Sequence, residues 1–330
     1  MTRKILCLLA VMAMCLCAGS RAGAADKFEI CAGNFGGTTY QFCFAVSEVM
    51  KKVAPRYELL PVETTGIPAS IMKASENRDR MLMALGGISF TEALKGKAPF
   101  PKAFTGLKLF GFVTQNVQTL ITYNPGIRAL ADVKGKRVGL MNILSSNGKY
   151  EWSIMSRGIE GSSGMKPAYM NWTGLQSALL DGTIDVSALG VTTNANGPWM
   201  PVSIYSEMVA SRGAPYFLGV DEKCLKEAGA ADDLNYVPVI IPKGAIAENV
   251  PDRDVTAWED RLGIGGFDGI PDDVAYTVTK ILCENQADMT LYTPAGRAMS
   301  LTVTVPSKEF VGDDQIHPGA LRYYREKGLR

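Results

Sequence analysis

Apolar and polar positions along this chain alternate between the period of a strand and the period of a helix. Phe28-Glu29-Ile30-Cys31-Ala32 is an apolar run that reads as a strand. After it, Phe42, Ala45, Val46, Val49 and Val53 recur at the spacing of one helix face. The same succession of strand, small-residue turn and helix returns at residues 57–62 with a helix over 67–74. It returns again at residues 81–85 with a helix over 89–95. Pro68 falls in a first helical turn, which tolerates it. Repeated strand-then-helix units predict a parallel sheet with helices on its faces. In such sheets ligands sit beyond the carboxyl ends of the strands, so the three turns are expected to share one rim.

Residues 107–112 and 117–123 are consecutive strand-like runs with no helix between them, which we read as a crossing into a second domain. The unit then repeats: a strand over 138–140 and a helix over 149–157, a strand over 168–170 and a helix over 172–180. A strand over 184–189 follows, with Gly190-Val191-Thr192-Thr193-Asn194 read as a turn. Residues 216–218 and a helix over 221–228 close the second domain, and the return is placed at residues 236–242. The strand expected at 262–267 reads Leu-Gly-Ile-Gly-Gly-Phe, and glycines inside a strand mark a bulge or a close backbone approach. Val274, Val278, Ile281 and Leu282 give residues 271–285 an amphipathic helix. A last helix is expected over 317–326.

Composition changes this picture at the amino end. Arg3 and Lys4 precede an uncharged, mostly apolar run over residues 5–18, and Ala22-Gly23-Ala24 offers a small-residue cleavage site. Residues 1–25 are therefore expected to be a secretory signal peptide that is removed. The large Met14 and Leu16 before Cys15 and Cys17 argue against lipidation. Removing Arg3, Lys4 and Arg21 leaves 31 basic residues against 33 acidic ones, a formal charge of −2. That balance attracts neither nucleic acid nor an anionic membrane. Cys31, Cys43, Cys224 and Cys283 remain, with no zinc-like spacing and three possible pairings. Buried free thiols are an equally good account of them.

The stretch Gly33-Asn34-Phe35-Gly36-Gly37-Thr38-Thr39-Tyr40 carries the candidate chemistry. Glycines let a ligand approach the main chain. The first N–H groups of a helix lack internal partners and favour an anionic or carbonyl group. A plain strand-to-helix connection would give the same pattern, and the dinucleotide spacing G-x-G-x-x-G is absent. Asn34, Gly37, Thr38, Tyr40, Thr65 and Gly66 are expected to meet a ligand from one lobe, and Ser145, Ser146, Asn147 and Thr192 from the other. Trp172 and Trp199 near the rim read either as packing or as an aromatic wall.

Enzyme readings find little support. Ser70-Ile71-Met72-Lys73 and Ser146-Asn147-Gly148-Lys149 fit S-x-x-K, but the S-D-N and K-T-G partners are missing, as is a G-x-S-x-G elbow. The single histidine, His317, cannot form a histidine pair for zinc, and its place before Pro318 suggests capping or packing. Asp272-Asp273 and Asp313-Asp314 read as solvated helix starts. No catalytic residue, metal or cofactor is expected.

Four stretches carry a resemblance over most of the chain. They are Gly36-Gly37-Thr38-Thr39-Tyr40; Asp132-Val133-Lys134-Gly135-Lys136-Arg137-Val138 with Ser145-Ser146-Asn147; Leu179-Leu180-Asp181-Gly182-Thr183-Ile184-Asp185; and the tail from His317 to Gly328. The sequence resembles the TAXI-class solute-binding proteins of tripartite ATP-independent periplasmic (TRAP) transporters. The resemblance implies an α/β, type II-like clamshell of two lobes joined by two crossing strands, with its ligand in the cleft between them. The lobes would be residues 26–120 with 236–330, and residues 121–235. It implies a periplasmic, monomeric protein that hands a small organic acid or amino acid to membrane permease subunits. Binding proteins of ATP-driven importers and ligand sensors share that architecture. Three rim turns depart from the family pattern: Ile67-Pro68 follows Thr65-Gly66, Gly86-Gly87-Ile88 stands in place of a polar run, and Ser145-Ser146-Asn147 in place of Ser-Gly-Thr. A less polar or bulkier acid than glutamate is therefore expected.

Overall fold

The computed structural model describes residues 25–33, 35, 37–143, 145, 148–194, 197–202 and 204–330. The expected signal peptide lies, apart from Ala25, outside them. In chain order the strands and helices are β1 (Asp26–Cys31), α1 (Thr38–Val53), β2 (Tyr57–Val62), α2 (Ile67–Ala74), β3 (Met81–Gly86), α3 (Gly87–Lys95) and β4 (Leu107–Thr122). There follow β5 (Val138–Met141), α4 (Gly148–Met155), β6 (Ala168–Met170), α5 (Trp172–Leu180), β7 (Val186–Thr193), β8 (Met200–Pro201), α6 (Ile204–Arg212), β9 (Tyr216–Leu218) and α7 (Glu222–Asp232). The chain ends with β10 (Val237–Ile241), β11 (Val255–Phe267), α8 (Asp272–Glu284), the short α9 (Gln286–Met289) and α10 (Leu301–Thr304), and α11 (Pro318–Glu326).

The strands form one sheet in the order β2-β1-β3-β11-β4-β7-β5-β6, with β8, β9 and β10 joined to its sides. β2, β1 and β3 are parallel, as the apolar runs predict, and so are β6, β5 and β7. Between these two groups β4 and β11 pair antiparallel from Trp258↔Gln118 to Phe267↔Leu107. The result is two parallel half-sheets on either edge of a central two-stranded ribbon.

Each half builds its own core. The first gathers Phe42, Val46, Leu82, Phe110, Val278 and Tyr324, and the second Val117, Leu140, Leu175, Val191, Phe217 and Trp258. Burying side chains of this size contributes about 1.5–3 kcal/mol each. α8 turns Val274, Val278, Ile281 and Leu282 inward and packs on β4 and α11. The tail helix is fixed by Tyr324, whose hydroxyl donates to the Phe110 carbonyl at 2.7 Å. His317, fully buried, accepts the Gly319 N–H at Nδ1 (3.2 Å), and burial lowers its pKa, so its role here is capping and packing.

Two sequence expectations change. Residues 113–116, expected as a gap between two strand-like runs, lie inside the single strand β4. Thr114 and Gln115 are buried there because β4 is paired on both edges, to β11 and to β7. Core membership passes from the first half to the second between Val113 and Val117. The return comes later than residue 236. β10 pairs with Val255–Glu259 as an antiparallel neighbour, and Ile241, Val255 and Trp258 all belong to the second core. The chain rejoins the first core only at Leu262. The glycines of β11 do mark irregular pairing, with register shifts at Leu262/Gly263 and Ile264/Gly265. A Cβ on Gly265 would sit 2.3 Å from the Lys108 carbonyl oxygen. All four cysteines among the described residues are free and buried, and burial raises the Cys31 thiol to about 11.

Candidate functional site

The turns after β1 and β2 are tied into one unit. The Thr64 N–H donates to the Gly33 carbonyl and the Gly33 N–H donates back to Thr64 Oγ1, both at 3.1 Å. The same hydroxyl donates to the Gly66 carbonyl (3.2 Å) and shares a 2.7 Å hydrogen bond with Ser70 Oγ of α2. The Phe35 N–H adds a 3.0 Å bond to Glu63 Oε1. This ties together the chain leading into α1 and the start of α2. Gly66 has φ 143° and ψ 177°, a backbone region open essentially only to glycine. Gly33 has φ 79°, and a Cβ there would lie 2.6 Å from Thr39 Oγ1.

Among the described residues, neither helix start is closed by a side chain. Gly37 is the N-cap of α1 and Gly66 that of α2, and both lack a side-chain cap bond. First-turn N–H groups left in this state favour an anion. The third start differs. The Ile88 N–H of α3 donates to Asp260 Oδ1 at 3.1 Å, a carboxyl brought in from β11. Asp260 is 2 % exposed, and burial raises it to about 7 against the pull of the Ile88 and Gly87 N–H groups.

On the other lobe the starts of α4 and α5 are closed from within, whereas Asp221 at the start of α7 makes no side-chain cap bond. Ser145 Oγ accepts the Gly148 N–H (3.0 Å) at α4, and Asn171 Oδ1 accepts the Gly174 N–H (2.8 Å) at α5. At the end of β5 the Met141 N–H is taken by Glu151 Oε2 (2.8 Å), and burial raises that carboxyl to about 7. The lobes also touch directly. Lys149 of α4 reaches Glu92 of α3 at 2.9 Å and the Ala98 carbonyl at 2.6 Å, while Lys95 and Lys97 meet Asp233 beyond α7 at 3.1 and 2.6 Å.

Of the expected site residues, Gly37, Thr38 and Tyr40 lie at the start of α1, and Thr65 and Gly66 at the start of α2, behind turns that are bonded to each other through Gly33–Thr64 and Phe35–Glu63. Tyr40 stacks edge-on with the exposed Phe35, ring centroids 5.1 Å apart. Thr65 is exposed, and the linking role falls to its neighbour Thr64. Ser145 sits on the opposite lobe as a cap. Thr192 is not in a turn: it lies inside β7, 5 % exposed, paired with Asn116 and Met200. Asn34, Ser146 and Asn147 lie outside the described residues. Trp172 packs its ring 3.3 Å from where a Cβ of Gly190 would stand. Thr64, Ser70 and Asp260 were missed, because each acts on a segment that the local sequence pattern does not connect to it. Among the described residues there is no cluster suited to a metal ion, and no helix long and apolar enough to cross a membrane.

A family model described as the NMT1-like family matches residues 30–328. No curated protein matches by sequence. Among solved structures, a protein of Bordetella bronchiseptica RB50 is 12 % identical over 92 % of this chain and 98 % of that one, with a TM-score of 0.52. MatC of Rhodopseudomonas palustris, with bound malate, is 11 % identical over 93 % of this chain and 97 % of its own, with a TM-score of 0.50. The periplasmic aliphatic sulphonate binding protein SsuA of Escherichia coli is 12 % identical over 93 % and 89 %, with a TM-score of 0.47. The first two show a shared fold.

Proposed function

The chain belongs to the NMT1-like family, and from that premise we propose that it is a periplasmic solute-binding protein that captures a small carboxylate between its lobes. The reading extends to a TAXI-class protein that delivers the solute to the permease of a TRAP transporter. The observation that carries it is the pair of neighbouring helix starts at Gly37 and Gly66. Thr64 holds them in one unit, and among the described residues no side chain caps either. Two sets of backbone donors facing the same space can hold a carboxylate without a dedicated arginine. The malate carried by MatC is in keeping with that chemistry.

Closure follows from the ribbon. β4 and β11 join the lobes, and a solute that touches both rims stabilises the closed arrangement by its higher affinity for it. Native mass spectrometry of protein purified without refolding should reveal a co-purified organic acid. A panel of amino acids, keto acids and aromatic acids titrated calorimetrically should then rank the class. Binding confined to sugars or cations would refute the carboxylate reading. A genomic neighbour encoding an ATPase in place of a multi-helix permease would refute the transporter assignment alone.

A further inference from the structure

A groove of about 600 Å³ runs along β11 beside the start of α3. Its walls come from both lobes: Ile88 and Phe90 of α3 with Phe310 on one side, Leu234 and Val237 beyond α7 on the other. None of Gly37, Thr38, Tyr40, Thr65 or Gly66 lines it, so it is a different space from the paired turns.

Arg261 also lines this groove, its side chain 20 % exposed. Its Nε donates to Glu259 Oε1 at 3.1 Å, and the Gln115 side-chain amide holds the other Glu259 oxygen. The guanidinium carbon lies 5.8 Å from the ring centre of Phe112 and 5.4 Å from that of Phe310. Arg261 is thus fixed along one edge and flanked by two rings. Its two terminal nitrogens have no protein partner among the described residues. Of the other charges around the groove, Lys95 pairs with Asp233, Asp260 Oδ1 caps α3 while its buried Oδ2 has no partner among the described residues, and Glu309 is exposed at the rim.

We propose that this groove is a second small-molecule site and that it takes an aromatic monocarboxylate. The terminal nitrogens of a guanidinium match the two oxygens of a carboxylate. Phe310, 46 % exposed, offers a free ring face, and Ile88 and Val237 supply apolar walls for the remainder. The lining mixes apolar side chains with charged and polar ones, and its volume is in the usual range of small-ligand sites.

Phenylacetate titrated calorimetrically into the mature protein at neutral pH tests the assignment, with phenylacetamide as the uncharged match. Phenylacetate should bind, and phenylacetamide should bind about tenfold more weakly or worse. Arg261→Met should weaken phenylacetate about tenfold or more, and so should Phe310→Ala. Phe310→Ala removes an exposed side chain, so it keeps the test open should Arg261→Met misfold. No heat with phenylacetate overturns the proposal, as does unchanged binding in both variants. Loss in Thr64→Val with both groove variants unaffected also overturns it, since the probe would then sit between the paired turns. That last result would leave the solute-binding reading standing.

Discussion

The two lobes present the same kind of helix start in opposite conditions. In the first lobe α1 and α2 begin at glycines with no side-chain cap, while in the second Ser145 and Asn171 already accept first-turn N–H groups. A cap adds stability locally by using a donor that a ligand would otherwise meet. At α4 and α5 the second lobe thus satisfies first-turn donors itself, although Asp221 at the start of α7 makes no such bond, and under the proposed function the uncapped starts of the first lobe are the ones that meet a guest. α3 is the instructive exception: it lies in the first lobe yet is closed by Asp260, which arrives from 172 residues away along the chain. Among the described residues, the uncapped glycine starts of the first lobe are the two whose preceding turns are bonded to each other.

The largest effect is expected where the halves meet. Lys149→Met leaves Glu92, 2 % exposed at its side chain, without its cation. Stripping the partner from a buried charge should cost about 3 kcal/mol in urea unfolding. An unchanged midpoint would show that the lobes are not clasped there.

Next comes pH. Asp260 and Glu151 are each lifted to about 7 from ordinary values of 3.8 and 4.5. Across that window the folded chain keeps two protons that the unfolded chain has released, so stability should fall as pH rises from about 4.5 to about 7. The loss should be about 3 kcal/mol per carboxyl over that window. Asp260→Asn keeps an oxygen for the Ile88 N–H and should remove one share of the slope. Glu151→Gln should remove the other. A slope unchanged from that of the parent protein in both variants would clear these groups of responsibility.

Thr64→Val should come third. It deprives the Gly33 N–H, the Gly66 carbonyl and Ser70 of their common partner, at about 1–2 kcal/mol, and should lower solute affinity as well. Loss of stability with affinity intact would separate the paired turns from the binding site. Asn171→Ala should be smallest, about 1 kcal/mol by thermal unfolding with solute affinity unchanged, because its cap serves only α5.

Much of the fold was readable from periodicity. α2 and β2 fall where the apolar spacing puts them, because each is decided by its own residues packing on a neighbour in sequence. β4 was not readable as one strand, since Thr114, Gln115 and Asn116 look like a loop until β11 and β7 flank them. The return of the chain was misplaced for a related reason: β10 is apolar enough for either core, and its pairing with β11 decides. Within the site, the glycine starts at Gly37 and Gly66 were legible because glycine before a helix is a local signal. Thr64 was passed over for Thr65, since which of two adjacent threonines turns inward is set by hydrogen bonds to Gly33, Gly66 and Ser70, which the local pattern does not show. Asp260 left no trace, because its partner is distant in sequence.

The ribbon of β4 and β11 has a practical consequence. Both strands run from one core to the other without leaving the hydrogen-bonded sheet. A protease seeking a tether between the halves finds none exposed at this junction. Limited digestion should consequently nick surface loops and leave the molecule whole until it melts, and neither half should be recoverable as an intact fragment.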